Sequence, residues 1–238
     1  MIQALYLVAL FGLTAYLLNQ VRKPSQWLGR LFLKDMSRRH AALTDWGLGH
    51  VSIGPQLAIL DVGCGGGRTL AKLAALAPRA RVVGIDYAPG SIAESRAYNR
   101  ALIAAGRVEV KRAAVDQLPE PTGRFDLATA IETHYYWPDV AAGCREIRRV
   151  LRDGGSLVLV AESYREGAGG RLAALALAPL RAAVLTVEEH RKRLLAAGFE
   201  TVRVTTDPRR GWLCAVATAP AATGTRVEPR RPIDPPNE

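Results

Sequence analysis

One stretch constrains this chain more than any other: residues 57–70, LAILDVGCGGGRTL. Four apolar residues run into Asp61, glycines stand at 63, 65, 66 and 67, and Arg68 and Thr69 open a helix-forming segment. That order predicts a buried strand, a tight turn and a helix. Glycine permits backbone conformations closed to residues with a Cβ and lets a ligand lie against the main chain. The first turn of a helix adds N–H groups without intrahelical partners. A nucleotide can rest on such a turn.

Spacing narrows the kind of nucleotide. A dinucleotide fingerprint, G-x-G-x-x-G, read from Gly63 needs its third glycine at position 68, which is Arg68. A second strand, RVVGID at residues 81–86, ends in Asp86, near the roughly 20-residue distance of a carboxylate that bonds ribose hydroxyls. Together, LDVGCGGG and VVGID resemble the class I S-adenosylmethionine-dependent methyltransferases, and the resemblance spans about residues 46–218. It implies S-adenosylmethionine as cofactor, with the main chain at Gly63 and Gly65 packed on its methionine portion. Asp61 would organise the turn, or hold the ammonium through water. Asp86 would bond the ribose hydroxyls, Tyr87 would lie beside the adenine, and the end of the fourth strand at Ile131 would offer a carbonyl to the ammonium. Related small-molecule enzymes carry an acid five residues before the proline of an LP pair. That position is Ala114 here, so Asp116 is the displaced candidate, with the backbone near Val115 as the alternative.

From residue 57 onward the sequence alternates strand and helix, the pattern of a parallel sheet with crossover helices. Strands are expected at 57–62, 81–86, 107–112, 125–131, 155–162, 199–206 and 211–218. Val140, Cys144, Ile147, Val150 and Leu151 form one apolar helix face that should stop at Gly154, and Thr186 with Glu189 makes a capping box before a helix ending at Gly198. Only a turn, Asp207 to Arg210, separates the last two strands, so they should pair antiparallel. The expected fold is therefore α/β: a doubly wound seven-stranded sheet, parallel with a C-terminal antiparallel hairpin, and helices on both faces.

Residues 1–18 contain no charged side chain and are followed by Arg22 and Lys23. As a helix they would reach about 27 Å, close to the hydrocarbon thickness of a bilayer. The basic flank on the C-terminal side places the following domain in the cytoplasm. A membrane anchor over residues 1–22 is expected, with an apolar helix docked on the domain or pairing two subunits as the alternative. Residues 23–50 form a basic amphipathic segment in which His40, Thr44, Asp45 and Trp46 are candidates to border the site. The methyltransferase domain occupies 51–218, and 219–238 read as a disordered tail. The segment 165–185 is expected to be a substrate cover, either a mobile lid or a second membrane-touching patch. The net charge of +10 concentrates in flanks beside the apolar run, which suits anionic lipid at least as well as nucleic acid. Three cysteines without a C-x-x-C argue against a zinc site or a disulfide framework.

The fourth strand ends in Ile131–Asp139, IETHYYWPD. In the resembling enzymes the side chains just beyond this strand face the methyl acceptor. His134, Tyr135, Tyr136 and Trp137 would build a water-excluding wall, and ring faces attract a sulfonium cation by about 0.5–2 kcal/mol each. Tyr136 and Trp137 have an equal alternative in packing the start of the next helix. Trp46 is a further candidate on the acceptor side. If the acceptor loses a proton, His134 is the expected base, with Glu132 as its rival; a purely positional role for both stands beside that. His50 and His190 have no motif around them and should be structural. The site lacks the Asn/Asp-Pro-Pro-aromatic run of nucleic-acid amino-methyltransferases. The expectation is methyl transfer to a small acceptor, lipophilic if the anchor holds, by a core resembling the ubiquinone and menaquinone methyltransferase type. A membrane-tethered binding module without turnover and a nucleic-acid methyltransferase are the alternatives.

Overall fold

The computed structural model describes residues 40–222 except 181. The apolar segment 1–22, most of the basic segment 23–50 and most of the tail 219–238 lie outside the described residues. Among the described residues, no helix is long and apolar enough to cross a membrane.

The chain runs α1 (Ala41–Leu48), β1 (Ile59–Val62), α2 (Arg68–Leu76), β2 (Val82–Asp86), α3 (Pro89–Tyr98), α4 (Arg100–Ala104), β3 (Val108–Arg112) and β4 (Phe125–Ile131). It continues through α5 (Val140–Val150), β5 (Leu151–Ala161), α6 (Gly170–Leu177), α7 (Val187–Ala196), β6 (Thr201–Asp207) and β7 (Trp212–Thr218). The sheet order is β3-β2-β1-β4-β5-β7-β6, the first five strands parallel and β7 antiparallel to both β5 and β6. This is the expected doubly wound sheet with its closing hairpin. Reversal of strand order between β1 and β4 opens a crevice at the carboxyl ends of the strands, where ligands of open α/β sheets bind.

Burial follows the sequence pattern. All four residues of β1 are buried because the sheet is covered on both faces. One face packs under α5 and α7, where Ile147, Val150 and Leu194 are almost fully enclosed; each such side chain contributes about 1.5–3 kcal/mol. The other face packs under α1 and α2, with Leu43, Leu70 and Leu73 inside. Asp139 caps α5 by accepting bonds from Ala141 and Ala142, and Thr186 with Glu189 forms the capping box of α7.

One boundary differs from expectation by more than two residues. The helix expected to stop at Gly154 ends at Val150, and β5 begins at once with Leu151. Phe125 pairs with Leu151 while Leu127 pairs with Ser156, so residues between them bulge out of the ladder. Gly154, at φ +71°, makes that bulge sterically feasible.

Candidate active site

A cavity of about 510 Å³ opens at the carboxyl edge of the sheet, lined by the glycine turn, by Asp86 and Tyr87, by Ala113–Val115 and by the loop after β4. The turn is held in place by main chain: the N–H groups of Gly63 and Cys64 both donate to the Ile85 carbonyl of β2, at 2.8 and 2.9 Å. Gly63 has φ +75°, and a Cβ there would lie 2.8 Å from Thr133 Cβ. Glycine is thus needed twice, for the conformation and for the approach of the β4 end.

Asp86 ends β2 with its carboxylate on the cavity wall. Its Oδ2 accepts from Gly65 N at 3.1 Å and its Oδ1 from Ala88 N at 2.8 Å. Burial raises its pKa, an effect partly offset by these bonds. The Ser91 side chain and the Tyr87 backbone also bond it, so a ribose diol would share the carboxylate with these protein donors. Asp61 lies behind the turn rather than on the wall, 2 % exposed. Its Oδ1 accepts from Thr129 Oγ1 at 2.7 Å, and its Oδ2 is buried without a partner. Desolvation pushes its pKa up to about 7 against the opposing Thr129 bond, with the nearby Asp86 charge adding to the rise. A buried, half-satisfied carboxyl beneath a nucleotide turn suits a cationic ligand above it. With the Asp86 carboxylate on the cavity wall, it fits S-adenosylmethionine.

The acceptor side departs from expectation in several places. After Ile131, which lies on the wall, Glu132 adopts φ +60° and a single 3-10 turn follows at His134–Tyr136, so neighbouring side chains diverge. Glu132, Thr133, Tyr136 and Trp137 line the cavity, whereas His134 and Tyr135 turn into the core. His134 is therefore not placed to meet an acceptor: it is 0 % exposed, and its Nε2 lies 3.2 Å from Nε2 of His190. His190 Nδ1 donates to the Thr186 carbonyl, so its Nε2 must accept the proton of His134 Nε2. Burial, then the neighbouring His190, holds the His134 pKa well below the ordinary histidine value. The expectation of a structural His190 agrees with this pairing.

Tyr135 is likewise off the wall, its hydroxyl fixed between Ser163 and Glu132. Trp137 combines both readings offered for it, since it lines the cavity and packs within van der Waals reach of Gly143 on α5. Asp116 is exposed and away from the cavity, where the wall is formed by Ala113, Ala114 and Val115. Trp46 also misses it and packs instead on His50 and Trp212, with ring centroids 4.7 and 5.7 Å apart. From the same segment His40 and Thr44, one helical turn apart, do line the cavity, and Asp45 pairs with Lys72. Among the described residues of 165–185, the expected cover, none lines the cavity. Their C-terminal part packs behind it, Ala183 N donating to the Tyr135 carbonyl at 2.8 Å.

Sequence reasoning did not select Glu162. It follows the last residue of β5, its backbone N–H donates to Glu132 Oε1, and its Oε2 lies 3.2 Å from His40 Nε2. Its position just past a strand's carboxyl end was the available signal. Burial, with the Glu162 charge adding to it, drives the Glu132 pKa well above the usual carboxylate range. Among the described residues one thiol lines the wall, Cys64, and burial raises its pKa well above the ordinary value, which disfavours the thiolate.

Residues 59–155 match the family model described as a methyltransferase domain. A ubiquinone biosynthesis O-methyltransferase of Xanthomonas oryzae pv. oryzae is 37 % identical over 102 residues, 42 % of this chain and 41 % of that protein. An uncharacterised protein from a transposon of Streptomyces fradiae is 34 % identical over 134 residues, 56 % of this chain and 37 % of its own length. The chain thus spans well under half the length of these relatives. Among solved structures, an S-adenosylmethionine-dependent methyltransferase from Aquifex aeolicus superposes with a TM-score of 0.64 at 18 % identity, covering 78 % of this chain and 96 % of that one.

Proposed function

Because the chain belongs to the class I S-adenosylmethionine-dependent methyltransferases, we propose that it transfers a methyl group to an oxygen of a small acceptor. One observation carries this reading. A single cavity joins the nucleotide turn and Asp86 at one end to Glu132, Tyr136, Trp137 and His40 at the other.

S-adenosylmethionine supplies an electrophilic methyl group on a sulfonium sulfur. Asp86, the main chain at Gly63 and Gly65, and Asp61 behind them are the residues that would hold it. Tyr136 and Trp137 screen the far end from water and present ring faces that favour a cation. Positioning is the principal service the protein renders, since aligning two reactants can supply about 7–11 kcal/mol of a barrier. The O-methyltransferase relatives support oxygen as the acceptor atom, and the uncharged run at residues 1–18 supports a lipophilic acceptor met at the cytoplasmic membrane face.

Incubating the full chain with tritiated S-adenosylmethionine and a solvent-extractable metabolite fraction should move label into the organic phase, and Asp86→Ala should abolish it. Calorimetric binding of the cofactor with no transfer to any fraction would leave a binding module without turnover. Label appearing in DNA or RNA instead would overturn the small-molecule reading. For the membrane, the full chain should pellet with vesicles containing anionic lipid, and a chain lacking residues 1–22 should stay in the supernatant.

A further inference from the structure

We infer that His40 is the general base of this site and that Glu162 is the residue that positions it. The inference rests on the O-methyl-transfer reading above and adds the group that takes the proton. A hydroxyl acceptor must lose its proton as the new oxygen–carbon bond forms, and His134 is sealed in the core. Of the four histidines, all of them among the described residues, only His40 lines the cavity.

Its geometry defines its role. The ring sits at the N-terminus of α1, where the His40 carbonyl accepts from Thr44 N at 2.8 Å and anchors the backbone. Nε2 is 3.2 Å from Glu162 Oε2, so the carboxylate selects the tautomer with hydrogen on Nε2 and leaves the lone pair on Nδ1. Glu162 is itself located by its backbone bond to Glu132, whose Oε1 also accepts from the Tyr135 hydroxyl at 3.4 Å. The ligating atoms of His40, Glu132 and Glu162 lie within 4.8 Å of one another, so the base and a wall carboxyl share one small space. Glu132 lines the cavity beside His40, where it can help orient the acceptor that His40 deprotonates.

The step balances within the site. The acceptor oxygen forms its bond to the methyl carbon and the carbon–sulfur bond breaks, its electron pair staying on sulfur. The hydroxyl proton passes to His40 Nδ1, the imidazolium is held against Glu162, and the proton then leaves to water.

Two measurements test this. Nitrogen-15 histidine spectra of the cofactor-free protein should show His40 with Nε2 protonated and Nδ1 bare, and Glu162→Gln should weaken that preference. A His40 with hydrogen on Nδ1 would overturn the inference whatever the acceptor. In transfer assays with catechol as acceptor probe, His40→Gln should lower kcat about 10²–10⁴-fold and remove the acidic limb of its pH profile. Its cofactor affinity by calorimetry should stay within about threefold, below 1 kcal/mol. A nitrocatechol, which ionises more readily, should lose less than catechol does. Equal kcat in wild type and His40→Gln would sink the base and leave the methyltransferase reading standing. Wild-type transfer to thiols or amines but to no hydroxyl would instead sink the oxygen reading. Activity abolished by a chelator and restored by a divalent cation would make the three side chains metal ligands and overturn the base.

Discussion

The two ends of the cavity are built by different means. At the cofactor end, the groups we assign to binding are main-chain atoms of one turn and the Asp86 carboxylate, which accepts from Gly65 N, 21 residues earlier. Adjacent parallel strands bring them together. At the acceptor end, His40, Glu132 and Glu162 come from three separate places in the chain and meet only through tertiary packing. Local geometry fixes the first end and the global fold fixes the second. Substitutions should therefore fail in different ways at the two ends, locally severe at the first and selective at the second.

The sharpest way to break this contrast is Gly63→Val. It forces a β-branched residue to φ +75° and drives its Cβ into Thr133. Left-handed strain and overpacking together should cost about 2–5 kcal/mol. Chemical denaturation should show that loss, with cofactor binding gone; a stable Gly63→Val protein that still binds would show that the turn is not the rigid element described. Next comes Asp86→Ala, which strips the acceptor from the Gly65 and Ala88 N–H groups as well as from the ribose diol. The unsatisfied donors weaken the fold, and losing two hydrogen bonds from the diol to a charged group, at about 1.5–3 kcal/mol each, should lower cofactor affinity at least 100-fold by calorimetry. A drop below tenfold would move the ribose elsewhere.

The same contrast explains what could be read in advance. The strands, the hairpin and the nucleotide turn were legible because glycine spacing and apolar runs report backbone conformation directly. Gly63, Gly65 and Asp86 all stand where the motif put them. His134 misled because a motif fixes sequence position and not side-chain direction: the positive φ of Glu132 and the 3-10 turn reverse which residues face in. Asp116 and Trp46 also miss the cavity, although Val115 and Thr44, within two residues of them, line it. Glu162 carried no local pattern, since its partner His40 is more than a hundred residues earlier in the chain.

A smaller effect separates the buried histidine pair from the cavity. Burial lowers the pKa of both His134 and His190 below the ordinary value. The unfolded chain therefore binds more protons than the folded one once pH drops beneath about 6.5. The stability the pair contributes is present above that pH and is lost as pH falls. Replacing both with leucine should flatten the decline of Tm between pH 7 and pH 5 by a few degrees, while cofactor affinity at pH 8 stays unchanged. An unaltered decline would mean that the pair is not what acid attacks.

The smallest expected signal lies in Asp61, and its sign is opposite. Its folded pKa of about 7 stands above the unfolded value of 3.8. Stability from its protonated form is complete below the lower value and is lost as pH rises through the higher one. At pH 6 the cofactor-free protein holds this carboxyl neutral. A cation bound above the turn favours the ionised form, so binding must expel the proton. Calorimetry at pH 6 in buffers of different ionisation enthalpy should report a release approaching one proton per site, fading by pH 8.5 and absent in Asp61→Asn. Cofactor affinity in the wild type should accordingly rise between pH 5.5 and pH 7.5, and in the variant it should not. A wild-type release of zero would mean that no positive charge settles near Asp61, and the carboxyl would then serve only to brace the turn through Thr129.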